Sequence, residues 1–520
     1  MSLWVVLPVL VPLAGATLGW MFWRSERAQA LIGVGASIAH LVVAGLLLAA
    51  VARDGILVAP IGSWTPPIGI VLTADLLGAI MVVLTALLGL TSNLTAVVEI
   101  DARSRRLGFF PLMQVLLLGV SGSFLTGDVF NLFVFFEVML MSSFVLLALG
   151  GGRGALEGAV KYVGLNLFSS ALFLIGAGMA YALAGTLNMA DLATKLPAVA
   201  AENPVAVTTL GAFLLIAFAV KAGVFPVYFW LPASYHTASP AVSAIFAGLL
   251  TKVGVYALIR LGTVLAPASA GLIDAMLWVA AATMVFGVVG AVAQTSTRRI
   301  LGFHILSQIG YMVVGVGLLA SDDPEIRRLG MAATVFYLAH HILVKTNLYL
   351  VAGTALRMLG DERLKTTGGL VKRAPWLGAV FLVPAFSLAG LPPLSGFWAK
   401  LAVLRSSALE DAWVAVAAAA LAGVLTLTSM LKIWNEVFWK DHPDAGALSA
   451  IEPMSVRERW LRGLPMALLA VLTLTIGLWP APLYELAEMA AQQLIDPNAF
   501  PSAVLPEGAL EEGRGCTPSC

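Results

Sequence analysis

Residues 220–226 read Val-Lys-Ala-Gly-Val-Phe-Pro, and they lie inside a long apolar run. Pro226 removes an amide donor and Gly223 lets the backbone turn aside, so a helix is expected to break here. The carbonyl groups that such a break frees are tolerated at membrane depth only when protein or water covers them. Lys221 lies beside the break, and a lysine in the middle of a bilayer costs about 2.5 kcal/mol or more and is usually functional. The stretch therefore predicts a broken, hydrated membrane helix that moves or senses charge.

The composition of the whole chain is that of a multi-pass membrane protein. Of the 520 residues, 60% are apolar and 11% are charged, and the mean hydropathy is +0.93. A soluble chain of this length needs far more polar surface. The net charge of +1 argues against nucleic acid as a partner. Both cysteines, Cys516 and Cys520, fall in the polar C-terminal tail, so no disulfide framework or thiol chemistry is predicted in the membrane region.

Fourteen stretches are long and apolar enough to cross a membrane, since a span needs about 20 residues. The predicted spans are 3–23, 30–51, 69–98, 109–127, 129–150, 159–185, 205–231, 238–262, 271–293, 301–320, 329–356, 376–404, 411–437 and 463–484. The first keeps its arginines after the apolar run, which indicates a retained anchor rather than a cleaved signal peptide. We therefore predict an all-α polytopic membrane protein with about 14 transmembrane helices.

Basic residues indicate the orientation, because cytoplasmic loops collect lysine and arginine. The loops after the odd-numbered spans hold 17 of the 30 basic residues, with Arg103, Arg298 and Arg373 among them. Both termini are therefore predicted to lie outside the cell.

The break at Gly223 has a counterpart later in the chain. The seventh span contains Ala222-Gly-Val-Phe-Pro226, and the twelfth contains Ala389-Gly-Leu-Pro-Pro393 at an offset of 167 residues. Each break falls in the fourth helix of a possible five-helix unit, spans 4–8 and 9–13, and an odd number of helices inverts the second unit. Paired broken helices in inverted repeats build the midplane site of secondary transporters. The predicted segments are 1–108 with three helices, 109–262 and 271–437 as the repeats, 438–484 with a loop and the last helix, and 485–520 as a polar tail.

Glu137 is the acidic counterpart of Lys221. It lies within the apolar run Phe133–Leu140, which offers it no polar neighbour in sequence. Burial disfavours the charged form of both groups, and a nearby opposite charge restores it. The simplest arrangement is an ion pair between Glu137 and Lys221 across the fifth and seventh spans.

Further titratable residues extend this pair into a polar row. Lys252 lies in the eighth span, His341 and Lys345 share one face of the eleventh because they are four residues apart, and Lys400 follows the second break. Titrating groups on one stripe suit a proton relay better than a metal site, because a protonated lysine repels a cation. Residues predicted to order water along the row are His304, Ser142, Ser143, Ser307, Gln308, Thr334 and Tyr337.

Several other polar residues have ordinary structural interpretations. Asp75 and Asp274 open predicted helices, where a carboxylate suits the positive end of the helix dipole. His40 is expected to be a packed core residue. His340 and His341 face different sides of one helix, and no second histidine-bearing helix has the spacing of haem ligands. No Walker A motif, Rossmann fingerprint or cysteine cluster occurs, so no cofactor is predicted, and metal ligands are left unassigned.

Several motifs resemble those of the antiporter-like subunits shared by respiratory complex I and Mrp-type cation/proton antiporters. These motifs are Gly62 to Asp75, Phe135-Phe136-Glu137, Val220 to Pro226, Trp230-Leu231-Pro232, His236 to Pro240 and Leu250 to Gly254. Three further motifs look most like those of the D-type subunits of Mrp-type antiporters. They are Gly185 to Leu192, Phe303 to Met312 and Trp434-Asn435-Glu436. The resemblance covers predicted spans 2 to 13.

The resemblance implies a transporter subunit rather than an enzyme, in a bacterial inner membrane, with two inverted repeats around a hydrated axis. It implies that Glu137 pairs with Lys221, that Lys252 passes protons on to the eleventh span, and that Lys400 ends the row. The implied partners are the other subunits of a multisubunit Na⁺/H⁺ antiporter, with protons and Na⁺ as cargo and lipid around the chain. A proton-pumping subunit of a complex I-type or membrane-bound hydrogenase complex stays open as an alternative, as does a stand-alone carrier.

Overall fold

A computed structural model describes residues 3–62, 64–444 and 451–506. Its α-helices are α1 Leu3–Met21, α2 Glu26–Asp54, α3 Leu76–Glu99, α4 Ala102–Arg106, α5 Phe109–Leu125, α6 Val129–Ala148, α7 Arg153–Ala184, α8 Met189–Glu202, α9 Pro204–Ala222, α10 Trp230–Ser234, α11 Pro240–Ile245, α12 Thr251–Leu265, α13 Ala270–Ala293, α14 Thr297–Gly317, α15 Pro324–Leu359, α16 Leu370–Arg373, α17 Pro375–Ala389, α18 Ser395–Leu409, α19 Trp413–Ile433, α20 Val456–Leu478, α21 Ala481–Ile495 and α22 Ala499–Val504. A π-turn, Phe246–Leu250, joins α11 to α12, and another, Trp434–Trp439, continues α19. Short 3₁₀ turns cover Leu318–Ala320 and Leu364–Thr366.

The all-α membrane architecture predicted from the sequence is confirmed. Among the described residues, 12 helices are long and apolar enough to cross a membrane. The fourth and twelfth predicted spans correspond to the shorter apolar helices Phe109–Leu125 and Pro375–Ala389. The predicted start of the third span is too early, because Val71–Ala74 is a β-strand, β2, which pairs antiparallel with β1, Leu57–Pro60.

Both predicted helix breaks are present and have the same local geometry. α9 ends at Gly223, with φ 78° and ψ 43°, and α17 ends at Gly390, with φ 93° and ψ 33°. In each case the glycine amide donates to carbonyl groups three and four residues earlier, and the next amide donates to a carbonyl five residues earlier. This is the pattern of a left-handed helix terminus that glycine accommodates without a Cβ penalty. A proline follows three residues after each glycine, so neither helix can continue in line.

Two tight helix contacts recur at an offset of 168 residues. A Cβ atom on Gly119 would lie 2.6 Å from the amide nitrogen of Met139, and one on Gly287 would lie 2.3 Å from that of Ser307. The second recurring contact joins Gly122 to Phe135 and Gly290 to Phe303. Pairs α5–α6 and α13–α14 therefore pack through equivalent glycines, which supports the hypothesis of two related five-helix units.

A pair of isolated β-bridges follows the same correspondence. Asp128, just before α6, bridges to Asn188, and Ser296, just before α14, bridges to Arg363. Each bridge ties the start of the second helix of a unit to the loop that follows the third. The loops of the two units are therefore anchored in the same way.

The two aspartates that were predicted to cap helices, Asp75 and Asp274, differ in the structure. Asp75 accepts a hydrogen bond from the Gly78 amide at 2.8 Å, so its predicted capping of α3 is confirmed. Asp75 also forms a buried ion pair with Arg260 on α12, at 2.6 Å, which the sequence did not predict. The capping prediction for Asp274 is wrong, because α13 begins at Ala270 and the aspartate falls in its second turn.

The start of the predicted polar tail is helical and packs on the bundle. The ring of Phe500 on α22 lies 5.3 Å from the guanidinium carbon of Arg260. Gln493 on α21 accepts a hydrogen bond from the Leu76 amide at 2.9 Å. The helical structure of this region was not predicted, because it follows the last long apolar span. Cys516 and Cys520 lie outside the described residues.

Candidate functional site

Glu137, Ser170 and Lys221 form a hydrogen-bonded chain across α6, α7 and α9. The Lys221 ammonium donates to the Ser170 hydroxyl oxygen at 3.1 Å, and that hydroxyl donates to the Glu137 carboxylate. The predicted contact between the two charges is thus bridged by Ser170 instead of direct. The ammonium also lies 4.9 Å from the centre of the Phe136 ring. Lys221 is only 3% exposed, so the carboxylate, the hydroxyl and the ring supply its interactions in place of water.

The break beside Lys221 is covered by protein, as its depth requires. Trp230 on α10 donates its indole N–H to the Val220 carbonyl at 2.9 Å. The Phe225 amide donates to the Thr283 hydroxyl on α13 at 3.0 Å. The first contact fixes the end of α9 against α10, and the second ties the break to α13 in the second half of the chain.

Glu137 also reaches the outer surface of the helix bundle. It lines an open apolar groove of about 510 Å³ whose walls come from α1, α5 and α6. Trp20, Leu112 and Met141 are among the other lining residues. A carboxylate that meets such a groove at membrane depth is costly unless another polar group or protein surface covers it.

Lys252 follows the π-turn of the eighth predicted span. Its ammonium donates to the Ala247 carbonyl, within the π-turn, and to the Thr251 hydroxyl at 3.2 Å. A π-turn displaces carbonyls from the regular hydrogen-bond ladder and is frequent at functional sites. Gly254 brings this helix against the break, because a Cβ atom there would lie 2.4 Å from the Ala222 amide nitrogen. The helices that carry Lys221 and Lys252 therefore touch backbone to backbone.

His304, His341 and Lys345 occupy the centre of the molecule. All three are 0% exposed, and none of their side-chain nitrogens has a hydrogen-bond partner in the described protein. His341 and Lys345 lie one turn apart on α15, which packs against α14, the helix that carries His304, and against the π-turn that precedes Lys252. Buried polar groups in folded proteins nearly always have a partner, either protein or ordered water. The structure thus brings these three predicted residues together. The described part of the protein provides no hydrogen-bond partner for their side-chain nitrogens.

Lys400 lies at the second break. Its ammonium donates to the Ala389 carbonyl, the last of α17, at 3.0 Å. It also lies 5.2 Å from the centre of the ring of Tyr311, which is on α14, the helix that carries His304. The row therefore runs from Glu137 through Lys221, Lys252 and the central group to Lys400, close to one break at each end.

Most of the predicted water-ordering hydroxyls are engaged by the protein. Ser142, Ser307 and Thr334 donate to backbone carbonyls. Tyr337 donates to the Gln308 side-chain oxygen, whose own amide nitrogen has no partner in the described protein. These hydroxyls can accept hydrogen bonds from water, and Gln308 can donate one. Among the described residues there is no group of three or more histidine, cysteine, aspartate or glutamate side chains placed to hold a metal ion.

Comparisons with known proteins agree with this architecture. A family profile described as NADH:quinone oxidoreductase/Mrp antiporter, transmembrane, matches residues 126–426. The D-type subunit of the Na⁺/H⁺ antiporter of Alkalihalophilus pseudofirmus is 40% identical, over 97% of this chain and 99% of that protein. The chain belongs to this antiporter family. The protein of the same name in Bacillus subtilis is 37% identical, over 98% of this chain and 100% of that protein.

Solved structures of the NADH:quinone oxidoreductase/Mrp antiporter family have the same fold over nearly the whole chain. A chain of the Mrp complex from Dietzia sp. superposes with a TM-score of 0.88 at 33% identity, over 97% of this chain and 100% of that one. A chain of respiratory complex I from Thermus thermophilus superposes with a TM-score of 0.77 at 25% identity, over 94% of this chain and 99% of that one. The chain is thus a multi-pass membrane protein of this family.

Proposed function

We propose that this chain is the proton-translocating subunit of a multisubunit Na⁺/H⁺ antiporter. The observation that carries the proposal is the row that runs from half-buried Glu137 through buried lysines and histidines to Lys400, in a chain whose relatives are named as the D-type subunits of Na⁺/H⁺ antiporters. A row of lysines and histidines can pass protons, and its positive charges repel a metal cation. The chain is a transporter subunit rather than an enzyme.

Charge switching along the row is the proposed mechanism. While Glu137 and Ser170 contact Lys221, the carboxylate compensates the buried ammonium. When that contact opens, the ammonium is left without a counter-charge in a desolvated site and releases its proton. Each unpaired charge in the row is costly, and neutral Lys221 no longer repels a positive charge on Lys252, so the released proton passes to Lys252 and then to the centre. Proton flow through this row drives outward movement of Na⁺.

The groove at Glu137 suits a component of a larger assembly. A chain with a carboxylate at the edge of its helix bundle is incomplete in lipid, and a neighbouring subunit would cover that edge. We place the assembly in a bacterial inner membrane, with both termini outside, because basic residues collect in the loops after the odd-numbered spans. The Mrp protein of Dietzia sp. is a complex by its name, which is consistent with a multisubunit assembly.

A redox-linked proton pump is the second candidate function. It is favoured by the complex I likeness and by a chain of an archaeal membrane-bound sulfane sulfur reductase, which superposes with a TM-score of 0.88 at 25% identity. The proteins that co-purify with this chain distinguish the two candidate functions. Flavin or iron–sulfur absorbance in the purified assembly would favour the pump, and colourless small membrane subunits would favour the antiporter.

The test of the antiporter proposal is sodium-driven proton movement in proteoliposomes. We expect an imposed Na⁺ gradient to move protons in vesicles that hold the purified assembly. Vesicles with this chain alone should be inactive, because Glu137 then faces lipid. Proton movement that does not depend on the Na⁺ gradient in the complete assembly would contradict the proposal, as would full activity from the chain alone.

A further inference from the structure

His340 is a buried histidine that is not among the proton-transfer groups of the proposed row. It lies on α15 one residue before His341 and is 0% exposed. Its Nδ1 atom lies 2.8 Å from the Ser395 hydroxyl, whereas its Nε2 atom is buried without a partner in the described protein. One ring nitrogen is therefore fixed and the other is free to exchange a proton.

The fixed nitrogen connects α15 to both sides of the second break. Ser395 begins α18, and its hydroxyl lies 2.9 Å from that of Ser387, in the last turns of α17. Ser387 in turn accepts a hydrogen bond from the Gly396 amide at 3.1 Å. A Cβ atom on Gly396 would lie 1.7 Å from the Ser387 carbonyl oxygen, so the two halves of the broken helix meet closely at this point.

The two hydroxyls can be oriented in two directions, and the direction depends on the tautomer of the ring. When Nδ1 carries the proton, His340 donates to Ser395, Ser395 donates to Ser387, and Nε2 is a proton acceptor. When Nε2 carries the proton, Ser387 donates to Ser395, Ser395 donates to Nδ1, and Nε2 is a donor. The hydrogen bond at one nitrogen of an imidazole thus sets the role of the other.

The surroundings of the ring place it at the end of the row. The His340 ring and the Lys400 stem both meet the second break, since a Cβ atom on Gly396 would lie 3.0 Å from His340 Cε1 and one on Gly390 would lie 2.8 Å from Lys400 Cδ. The Tyr337 ring packs against it edge-on, with ring centres 5.7 Å apart. Tyr337 hydrogen-bonds Gln308 on α14, the helix that also carries His304. His340 is therefore the imidazole that adjoins both Lys400 and the second break.

We propose that His340 is a proton-transfer group of the row, which exchanges a proton with Lys400 and is held for this by Ser395 and Ser387. In the forward step a proton from the central group binds Nε2 of the Nδ1–H tautomer, which makes the ring an imidazolium. The imidazolium then gives its Nε2 proton to the neutral Lys400 amine, which leaves a neutral ring and an ammonium. Ser395 is a positioning residue, because it acts only through the ring. The proposal rests on the proposed function and adds a residue to it.

Replacing His340 by asparagine tests this directly in the reconstituted assembly. An asparagine amide can keep a hydrogen bond to Ser395 but cannot carry a proton. We expect His340→Asn to lower sodium-driven proton flux about a hundredfold, in line with the loss of a positioned acid–base group, while the assembly still co-purifies. His40→Asn is the matched control, since His40 is also buried, also contacts one serine, Ser121 at 3.2 Å, and also has one unpaired nitrogen. It lies on α2, outside the row, and should leave the flux unchanged.

The possible results distinguish the proposed role of His340 from the proposed function of the whole chain. Flux of His340→Asn within twofold of the unmodified assembly at every pH would overturn the role of His340, and the proposed function would stand if Lys221→Ala is inactive in the same preparation. Activity in Lys221→Ala would instead reject the proposed function. If no His340 variant assembles, the pH profile of Ser395→Ala decides. We expect its profile to move, because the tautomer is no longer set, and an unmoved profile would overturn the proposal.

Discussion

We expect Lys221→Ala to lower sodium-driven proton flux about a hundredfold or more, since a positioned proton-transfer group contributes this much. The substitution removes the ammonium that joins Glu137, through Ser170, to the first break. The carboxylate then remains at membrane depth without its cation, and no group hands a proton to Lys252. The measurement is the pH change inside proteoliposomes after a Na⁺ gradient is imposed, with co-purification of the partner subunits as the check on assembly.

Two control substitutions lie on α7, in the same part of the chain. Lys161→Ala removes an exposed lysine that pairs with Glu157 on the helix surface, and it should leave the flux unchanged, because exposed pairs contribute little.

Ser170→Ala should lower the flux less than Lys221→Ala does, because it removes the bridge and keeps both charges. Ser169→Ala is its matched control, since Ser169 donates to the Ala217 carbonyl outside the charged chain. Normal flux in Lys221→Ala, or equal effects at Ser169 and Ser170, would contradict the arrangement.

Gly254→Ala is the second large expected effect, and it acts through packing. The new Cβ atom would lie 2.4 Å from the Ala222 amide nitrogen and 2.7 Å from the Lys221 carbonyl carbon. Both are backbone atoms that cannot rotate away, so α12 must move off the break. Overpacking typically costs about 1–3 kcal/mol, and here the shift also separates Lys252 from Lys221. We expect a lower Tm of the purified assembly and loss of most of the flux.

Gly262→Ala, two turns later on the same helix, is the control for this change. Its Cβ atom would meet the tips of Val316 and Leu319 at 3.2 Å and 3.4 Å, and these side chains can adjust. Replacing a helical glycine by alanine stabilises a helix by about 0.5–1 kcal/mol, so Tm should stay level or rise. Equal losses at Gly254 and Gly262 would show that any added methyl group on α12 is harmful, and the specific contact with the break would then be refuted.

Local chemistry is enough to predict the parts of the fold that depend on a few residues. Gly223 with Pro226, and Gly390 with Pro393, specify a helix break because glycine permits the left-handed φ that ends a helix and proline cannot continue one. Apolar runs predict the long helices, since only helices satisfy their own backbone groups in lipid. The start of the third span was missed, because the four residues before Asp75 suit a strand and a helix equally well.

The charged residues of the candidate site could be predicted from the sequence, and its neutral residues could not. A lysine in an apolar run stands out in any sequence, and Glu137, Lys252 and Lys400 stand out for the same reason. Ser170 does not, because serines are common in membrane helices and only the fold brings this one between two charges. The Asp75–Arg260 pair was missed for a related reason. Each residue has a plausible separate role near a helix end, and their contact joins positions 185 residues apart.

Proton transfer through a hydrated row is the central claim, and a density map of the assembly in lipid, at a resolution that shows ordered water, tests it most directly. The unpaired nitrogens of His304, His341 and Lys345 should each contact ordered water that links Lys252 to Lys400. A map in which these side chains are separated by dry apolar packing, with no water between them, would contradict the account.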